Sequence, residues 1–224
     1  MKEFIERPAS NMSLSRRKLN YGVGVNDAWY ITSYKNDEGK KVWCPYYQRW
    51  SNMIERCYSA VRQKRSPTYA GCTVSNGWLL FSTFRSWMEK QDWRGKHLDK
   101  DILVVGNKVY SEDTCIFVSP QLNSLLLDSA AIRGKHPQGV CWATDRGKYL
   151  ATCKLDGKHK FIGYYTKESS AEYAYCVFKS QQVITYSNQQ ESTSQPDLQQ
   201  ALLRHAKVFS EKALVLKNIG DIDE

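Results

Sequence analysis

No stretch of this 224-residue chain stays apolar long enough to span a bilayer. The opening Met1-Lys2-Glu3-Phe4-Ile5-Glu6-Arg7 also lacks the apolar segment that marks an exported protein. Neither a membrane partner nor secretion is therefore expected, and the chain reads as a cytoplasmic one. Paired cysteines are missing too. Seven cysteines, an odd number, run from Cys44 to Cys176 without one Cys-x-x-Cys pair, which argues against a disulfide framework. Cys44, Cys57, Cys72 and Cys115 could converge on zinc, but without paired spacing the plainer reading is buried thiols acting as small apolar side chains.

What the chain has in supply is aromatic mass and positive charge. Forty-two per cent of residues are hydrophobic, with 7 Trp and 14 Tyr, enough for more than one packed core. The net charge is +9, made of +7 over residues 1–133, +4 over 134–185 and −2 over 186–224. The excess thus belongs to the two regions expected to fold and reverses in the tail, so a polyanion is the natural partner.

Residues 1–24, with Pro8, Asn11 and the Arg16-Arg17-Lys18 cluster, read as a flexible basic arm. Ala28-Trp29-Tyr30-Ile31-Thr32 is expected to be a strand, turned at Asn36-Asp37-Glu38-Gly39 and answered by Lys41-Val42-Trp43. From Pro45 a helical stripe runs through Trp50, Met53, Ile54, Cys57, Tyr58 and Val61. A second helix is expected from Trp78 to Gln91, its Trp78, Phe81, Phe84, Trp87 and Met88 forming core rather than a base-stacking platform.

Leu98-Asp99-Lys100-Asp101-Ile102-Leu103 alternates so that both aspartates share one face. A Gly106-Asn107-Lys108 turn follows, then the strand Cys115-Ile116-Phe117-Val118, then a helix capped by Ser119 with Pro120 at its first position and Asn123 in its first turn. Carboxylate strand, Asn-bearing turn, strand and helix with one polar residue are the layout of a one-metal nuclease centre. The order Asp99, Asp101, Asn107, Asn123 resembles the HNH (ββα-metal) motif in the degenerate form of phage homing endonucleases. The resemblance implies that Asp99 and Asn123 ligate one Mg²⁺ or Mn²⁺ and that Asn107 orients the site. The position of the family's general-base His is occupied here by Lys100, which cannot accept a proton while charged. Either Lys100 has a depressed pKa or a substitute acts, His97 on the same strand face or Asp101. A looser likeness to the same phage proteins extends through Trp50-Ser51-Asn52-Met53, Arg56-Cys57-Tyr58 and Tyr69-Ala70-Gly71-Cys72.

Beyond a polar linker at 128–135, three strands are expected at 139–142, 149–155 and 158–164, with an Asp156-Gly157 hairpin turn, followed by a helix at 168–182. Gly139-Val140, Gly147-Lys148-Tyr149, Ala151, Gly157-Lys158, Ile162-Gly163-Tyr164-Tyr165, Ala171 and Ala174-Tyr175 resemble the APETALA/ethylene-response-factor DNA-binding domain. The family lays its sheet in the major groove of double-stranded DNA, which admits a β-ribbon. Alternation points Tyr149, Ala151, Cys153 and Ile162 at the helix. Leu150, Thr152, Lys154, His159 and Phe161 then face DNA, with Arg146, Lys148 and Lys158 as phosphate contacts. Outward positions usually held by Arg or Trp are Cys141, Thr152 and Phe161, so specificity is expected to rest on backbone contact and DNA shape.

Residues 187–200 read as a Ser/Gln/Asn-rich linker, and Leu198, Leu202, Ala206, Phe209, Ala213 and Leu216 as an amphipathic helix that docks on the body or forms a weak dimer seam. The last four residues are expected to fray.

The whole is an α+β expectation: a flexible arm at 1–24, an HNH-like module at 25–130 with a helical scaffold around its degenerate ββα-metal motif, a three-stranded antiparallel sheet with one helix at 136–184, and a linker with a C-terminal helix at 185–224. A metal-dependent DNA endonuclease or nickase acting in an infected cell is the reading this supports. The alternatives are a DNA-binding protein that has lost catalysis and a phage accessory protein that acts on a host protein.

Overall fold

A computed structural model describes residues 4–127, 134–219 and 222. The described chain is α+β and divides into two compact units: Met1–Asp101 with Val105–Phe117, and Ile102–Val104 with Val118–Glu224. Among the described residues no helix is long and apolar enough to cross a membrane.

In the first unit the segment expected to be a free arm is pinned down from Phe4 onward. Helix α1 (Asn11–Ser15) is capped by the Ser10 hydroxyl, which accepts from the Ser13 amide at 3.2 Å. The Arg17 guanidinium donates to the carbonyls of Asn26 (3.0 Å), Tyr30 (2.7 Å) and Ala28. Glu6 pairs with Arg85 at 2.8 Å. One fork of donors satisfying three alternate carbonyls explains why a basic cluster here folds against the body. The segment expected as a strand at 28–32 does not join the hairpin: it makes an isolated antiparallel bridge between Pro8 and Tyr30, with the Ala9 N–H donating to the Trp29 carbonyl and the Ile31 N–H to the Arg7 carbonyl, both at 3.0 Å. The hairpin begins later, as β1 (Ser33–Lys35) antiparallel to β2 (Lys41–Trp43).

Helix α2 (Pro45–Tyr58) starts on Pro45 and buries Trp50, Met53, Ile54 and Cys57. It stops before Val61, which is 64% exposed. Ser59 turns extended there, and its hydroxyl caps a separate α3 (Ala60–Arg65). The second expected helix is likewise divided into a 3₁₀ turn at Asn76–Leu79 and α4 (Phe81–Met88), broken by extended Leu80. Trp78, Phe81, Phe84 and Met88 are nonetheless core, and Trp50 Nε1 donates to the Trp78 carbonyl at 2.7 Å. Short strands close the unit. β3 (Thr73–Val74) runs parallel to β5 (Val109–Tyr110), and β4 (His97–Asp99) pairs with β6 (Ile116–Val118).

The second unit opens with α5 (Pro120–Leu126), whose Ser119 cap accepts from the Leu122 amide. Both ends are matched in charge. The Ser119 N–H donates to the Glu191 carboxylate at 2.8 Å, and the buried Lys179 ammonium donates to the Leu125 carbonyl. The division after Phe117 therefore cuts the expected 25–130 module, leaving the strand pair in one unit and the Asn123 helix in the other. Most of the expected linker, residues 128–133, lies outside the described residues.

β7 (Val140–Ala143), β8 (Lys148–Leu155) and β9 (Lys158–Tyr165) form an antiparallel sheet in that order. Asp156 and Gly157 both take positive φ, 49° and 78°, as a two-residue hairpin turn needs. α6 (Glu168–Ser187) packs on the sheet. At Gly139 a Cβ would come within 2.1 Å of the Tyr175 ring, so only glycine lets this helix approach the start of β7. The expected polar linker at 187–200 is instead mostly helical: α6 runs to Ser187, then α7 (Gln190–Thr193) and α8 (Pro196–Asn218) follow. α8 buries Leu198, Ala201, Leu202, Ala206 and Ala213, lies along α6, and accepts a 2.9 Å hydrogen bond from the Ser180 hydroxyl at the Ala206 carbonyl. The seam considered for self-association is thus covered within the chain. Of the acidic last four residues, only Ile222 is described.

Candidate functional site

Two groups of side chains answer to the residues singled out in the sequence, one in each unit. In the first, β4 ends at Asp99 and the chain bends, so the expected alternation does not continue to Leu103. Leu98, Lys100 and Ile102 are buried and Asp99 and Asp101 are half-buried. The Asp99 carboxylate accepts from the Asp101 amide at 2.8 Å, which fixes that carboxylate across the bend. Asn107 is a positioning residue: its amide donates to the carbonyls of Lys100 (2.6 Å) and Val109 (2.7 Å), and its oxygen accepts from the Val109 amide at 3.1 Å.

Lys100 is 6% exposed, and its ammonium donates to Asp101 Oδ2 and to the Asn107 carbonyl, both at 3.0 Å. Burial pulls its pKa down, but the Asp101 carboxylate, Cys72 and Asp99 outweigh it and the net shift is upward. These surroundings favour the charged ammonium over the depressed pKa that a lysine base needs. The Asp101 carboxylate is engaged by that ammonium. His97 has the opposite character. It is exposed, and desolvation followed by the Arg49 and Arg56 charges holds its pKa below the ordinary imidazole value, so it is neutral near pH 7.

Asp99 and Asn123 fall in different units. Among the described residues no three His, Cys, Asp or Glu side chains gather as a metal-binding group. The oxygen donors present suit Mg²⁺ in type, since that ion takes one or two carboxylates and keeps several waters. The cysteines do not offer a soft site. Six of seven are buried as free thiols, and burial pushes Cys57 and Cys115 up to about 12.

In the second unit the sheet turns one face to α6 and the other away from it. Ala151 and Cys153 are fully buried, with Tyr149 and Ile162 packed beside Val140 and Ala171. On the opposite face the cross-strand partners are Ala143 with Lys148, Leu150 with Tyr164, Thr152 with Phe161, and Lys154 with His159. Phe161 is 58% exposed and Tyr164 39%, their rings 5.2 Å apart. Arg146 reaches over the Tyr164 ring at 5.7 Å and pairs with Asp145 at 3.4 Å. Lys148, Lys154, Lys158 and His159 are exposed with no ion-pair partner among the described residues.

All seven expected DNA contacts therefore stand on or at the edge of this face. Tyr164 belongs with them and was not legible in the sequence. Strict alternation from Ile162 turns Tyr164 inward, but a bulge opposite Ala151 and Thr152 inserts one residue and reverses the parity. The arginines beside His97, Arg49 and Arg56, were missed for a different reason: they sit on α2, about forty residues upstream. Compared with family models, curated proteins and solved structures, the chain matches none of them.

Proposed function

We propose that this protein binds double-stranded DNA through the outward face of β7–β9, and that its first unit hydrolyses a backbone phosphodiester in the manner of an HNH-type homing endonuclease or nickase. The observation that carries the reading is the sheet face itself. Lys148, Lys154, Lys158 and His159, with no ion-pair partner among the described residues, stand on or beside the face of a three-stranded antiparallel sheet that carries an exposed aromatic pair, and the major groove admits a β-ribbon. Arg146, Lys148, Lys154 and Lys158 would neutralise phosphates. Thr152, His159 and Phe161, with Tyr164, would meet base edges or the sugar wall.

In the catalytic reading His97 is the general base, a neutral imidazole beside two arginines. Asp99 would hold one Mg²⁺ or Mn²⁺ with waters completing its shell, Asn107 keeping the loop in place, and Asn123, which belongs to the other unit, is left out of that site. When bound, that ion would supply charge stabilisation at the phosphate and leaving oxygens. Lys100 takes no proton and serves as a buried counter-charge to Asp101. We assign the activity to the cytoplasm of an infected cell on the resemblance to phage enzymes alone.

A second reading has an observation in its favour. The position where the family carries its base holds a buried, protonated lysine, as a DNA-binding protein that had lost catalysis would show. Incubating supercoiled plasmid with the full chain and Mg²⁺ or Mn²⁺ separates the two. Nicking that disappears in Asp99→Ala and His97→Ala supports the enzyme. No nicking at high protein, with duplex binding intact, leaves the binding protein.

A further inference from the structure

We propose that Arg56 and Arg62, both against the Tyr69 ring, together with Arg49 two turns before Arg56 on α2, form an oxyanion site in the first unit that receives a phosphodiester of the DNA backbone. The inference rests on the DNA reading above and adds where a phosphate is held. Arg49 and Arg56 stand seven residues apart on α2, about two turns along one face. The Arg56 guanidinium lies 5.4 Å from the centroid of the Tyr69 ring, and that of Arg62, on α3, lies 5.9 Å from the same ring. Aromatic contact of this kind holds planar cations in a fixed orientation without neutralising them.

All three are half-buried, and none forms an ion pair among the described residues. The Arg62 Nε is buried with no hydrogen-bond acceptor there. Elsewhere in the unit the chain treats its partly buried cations otherwise: Arg85 has Glu6 and Glu89, and Lys100 has Asp101. Cations taken out of water without a counter-charge are costly. The Tyr110 hydroxyl and the Asp99 charge answer Arg56 in part, but two guanidinium groups at one ring, neither ion-paired among the described residues and one with an unmet buried N–H, mark the place of an anion. Arg49 is pulled down by burial and by Arg56, which fits two like charges held close, and the field of both reaches His97. Guanidinium forks match the paired oxygens of a phosphate. A phosphodiester held there lies beside the imidazole that the enzyme reading needs as its base.

The test uses the ¹⁵N-labelled full chain and follows the arginine Nε–H signals. Inorganic phosphate and a dinucleoside monophosphate should each shift the Arg49, Arg56 and Arg62 signals, the phosphodiester saturating at lower concentration. Arg49→Gln and Arg62→Gln should each lower the log–log salt slope of duplex binding by about one, whereas Arg56→Lys should retain it. Arg146→Gln, on the sheet, should lower the slope and leave the three Nε–H responses intact. Absence of any response to both anions overturns the site. A response with unchanged slopes in both glutamine variants marks an inorganic-anion site only and overturns the DNA assignment. Duplex binding kept while the three signals stay silent sinks this inference and spares the DNA reading. Phosphodiester response without duplex binding does the reverse.

Discussion

The two units use positive charge in opposite ways. In the first, Arg17 closes three carbonyls, Arg85 joins Glu6, Glu89 and the Tyr30 hydroxyl, and Lys100 links Asp101 to the Asn107 carbonyl. These cations hold the fold together. In the second, Lys179 reaches the end of α5 and Lys212 pairs with Glu172, but Lys148, Lys154 and Lys158 stand on or beside a solvent-facing sheet with no ion-pair partner among the described residues. A cation with a structural partner explains its own presence, and one without a partner points to a ligand. By that criterion the sheet face, and the arginines around Tyr69, are where function is to be sought.

The comparison can be broken from the largest effect downward. Trp50 is fully buried and hydrogen-bonded to the Trp78 carbonyl, so Trp50→Ala should cost about 3–5 kcal/mol. Urea unfolding followed by Trp fluorescence would check it, and a loss below about 1 kcal/mol would mean that the aromatic cluster is not the first unit's core. Arg17→Gln removes charged donors from three carbonyls and should cost about 1.5–3 kcal/mol. Stability unchanged in that variant would restore the free arm. Arg146→Gln with Lys154→Gln should shift stability by no more than about 0.5 kcal/mol, because both are exposed and the contacts of Arg146 with Asp145 and the Tyr164 ring lie at the surface. A large loss there would make them structural and erase the contrast. The smallest perturbation is chemical. In the native chain at pH 8 an alkylating reagent should label Cys141 alone, since the other six thiols are buried and Cys57 and Cys115, pushed up to about 12, stay protonated. Mass spectrometry counts the adducts, and rapid labelling of several thiols would contradict the described burial.

Residues with a local physical signature gave their structure away in advance. Pro45 started α2, Ser119 and Pro120 started α5, Asp156-Gly157 turned β8 into β9, and the inward set Ala151, Cys153 and Ile162 followed from period two. What escaped were features decided by distant partners. Ser59 breaks a continuous apolar stripe because its hydroxyl caps the next helix. Residues 29–31 bridge residues 7–9 instead of joining the hairpin. The bulge beside Ile162 turns Tyr164 outward. The Ser/Gln-rich segment at 187–200 is helical, its Glu191 reaching the Ser119 amide and its Gln195 donating to the Glu191 carbonyl at 3.0 Å. Of the candidate centre, the sequence named Asp99, Asn107 and His97 but could not tell that Lys100 is locked to Asp101, because a lysine's protonation depends on neighbours brought in by the bend.

The most direct test of the central claim is duplex affinity as a function of salt. For the full chain log affinity should fall steeply and linearly with log salt, with a slope reduced by about two when Arg146 and Lys154 are both changed to Gln. No duplex binding at low salt, or a slope that the double substitution leaves unaltered, would contradict it.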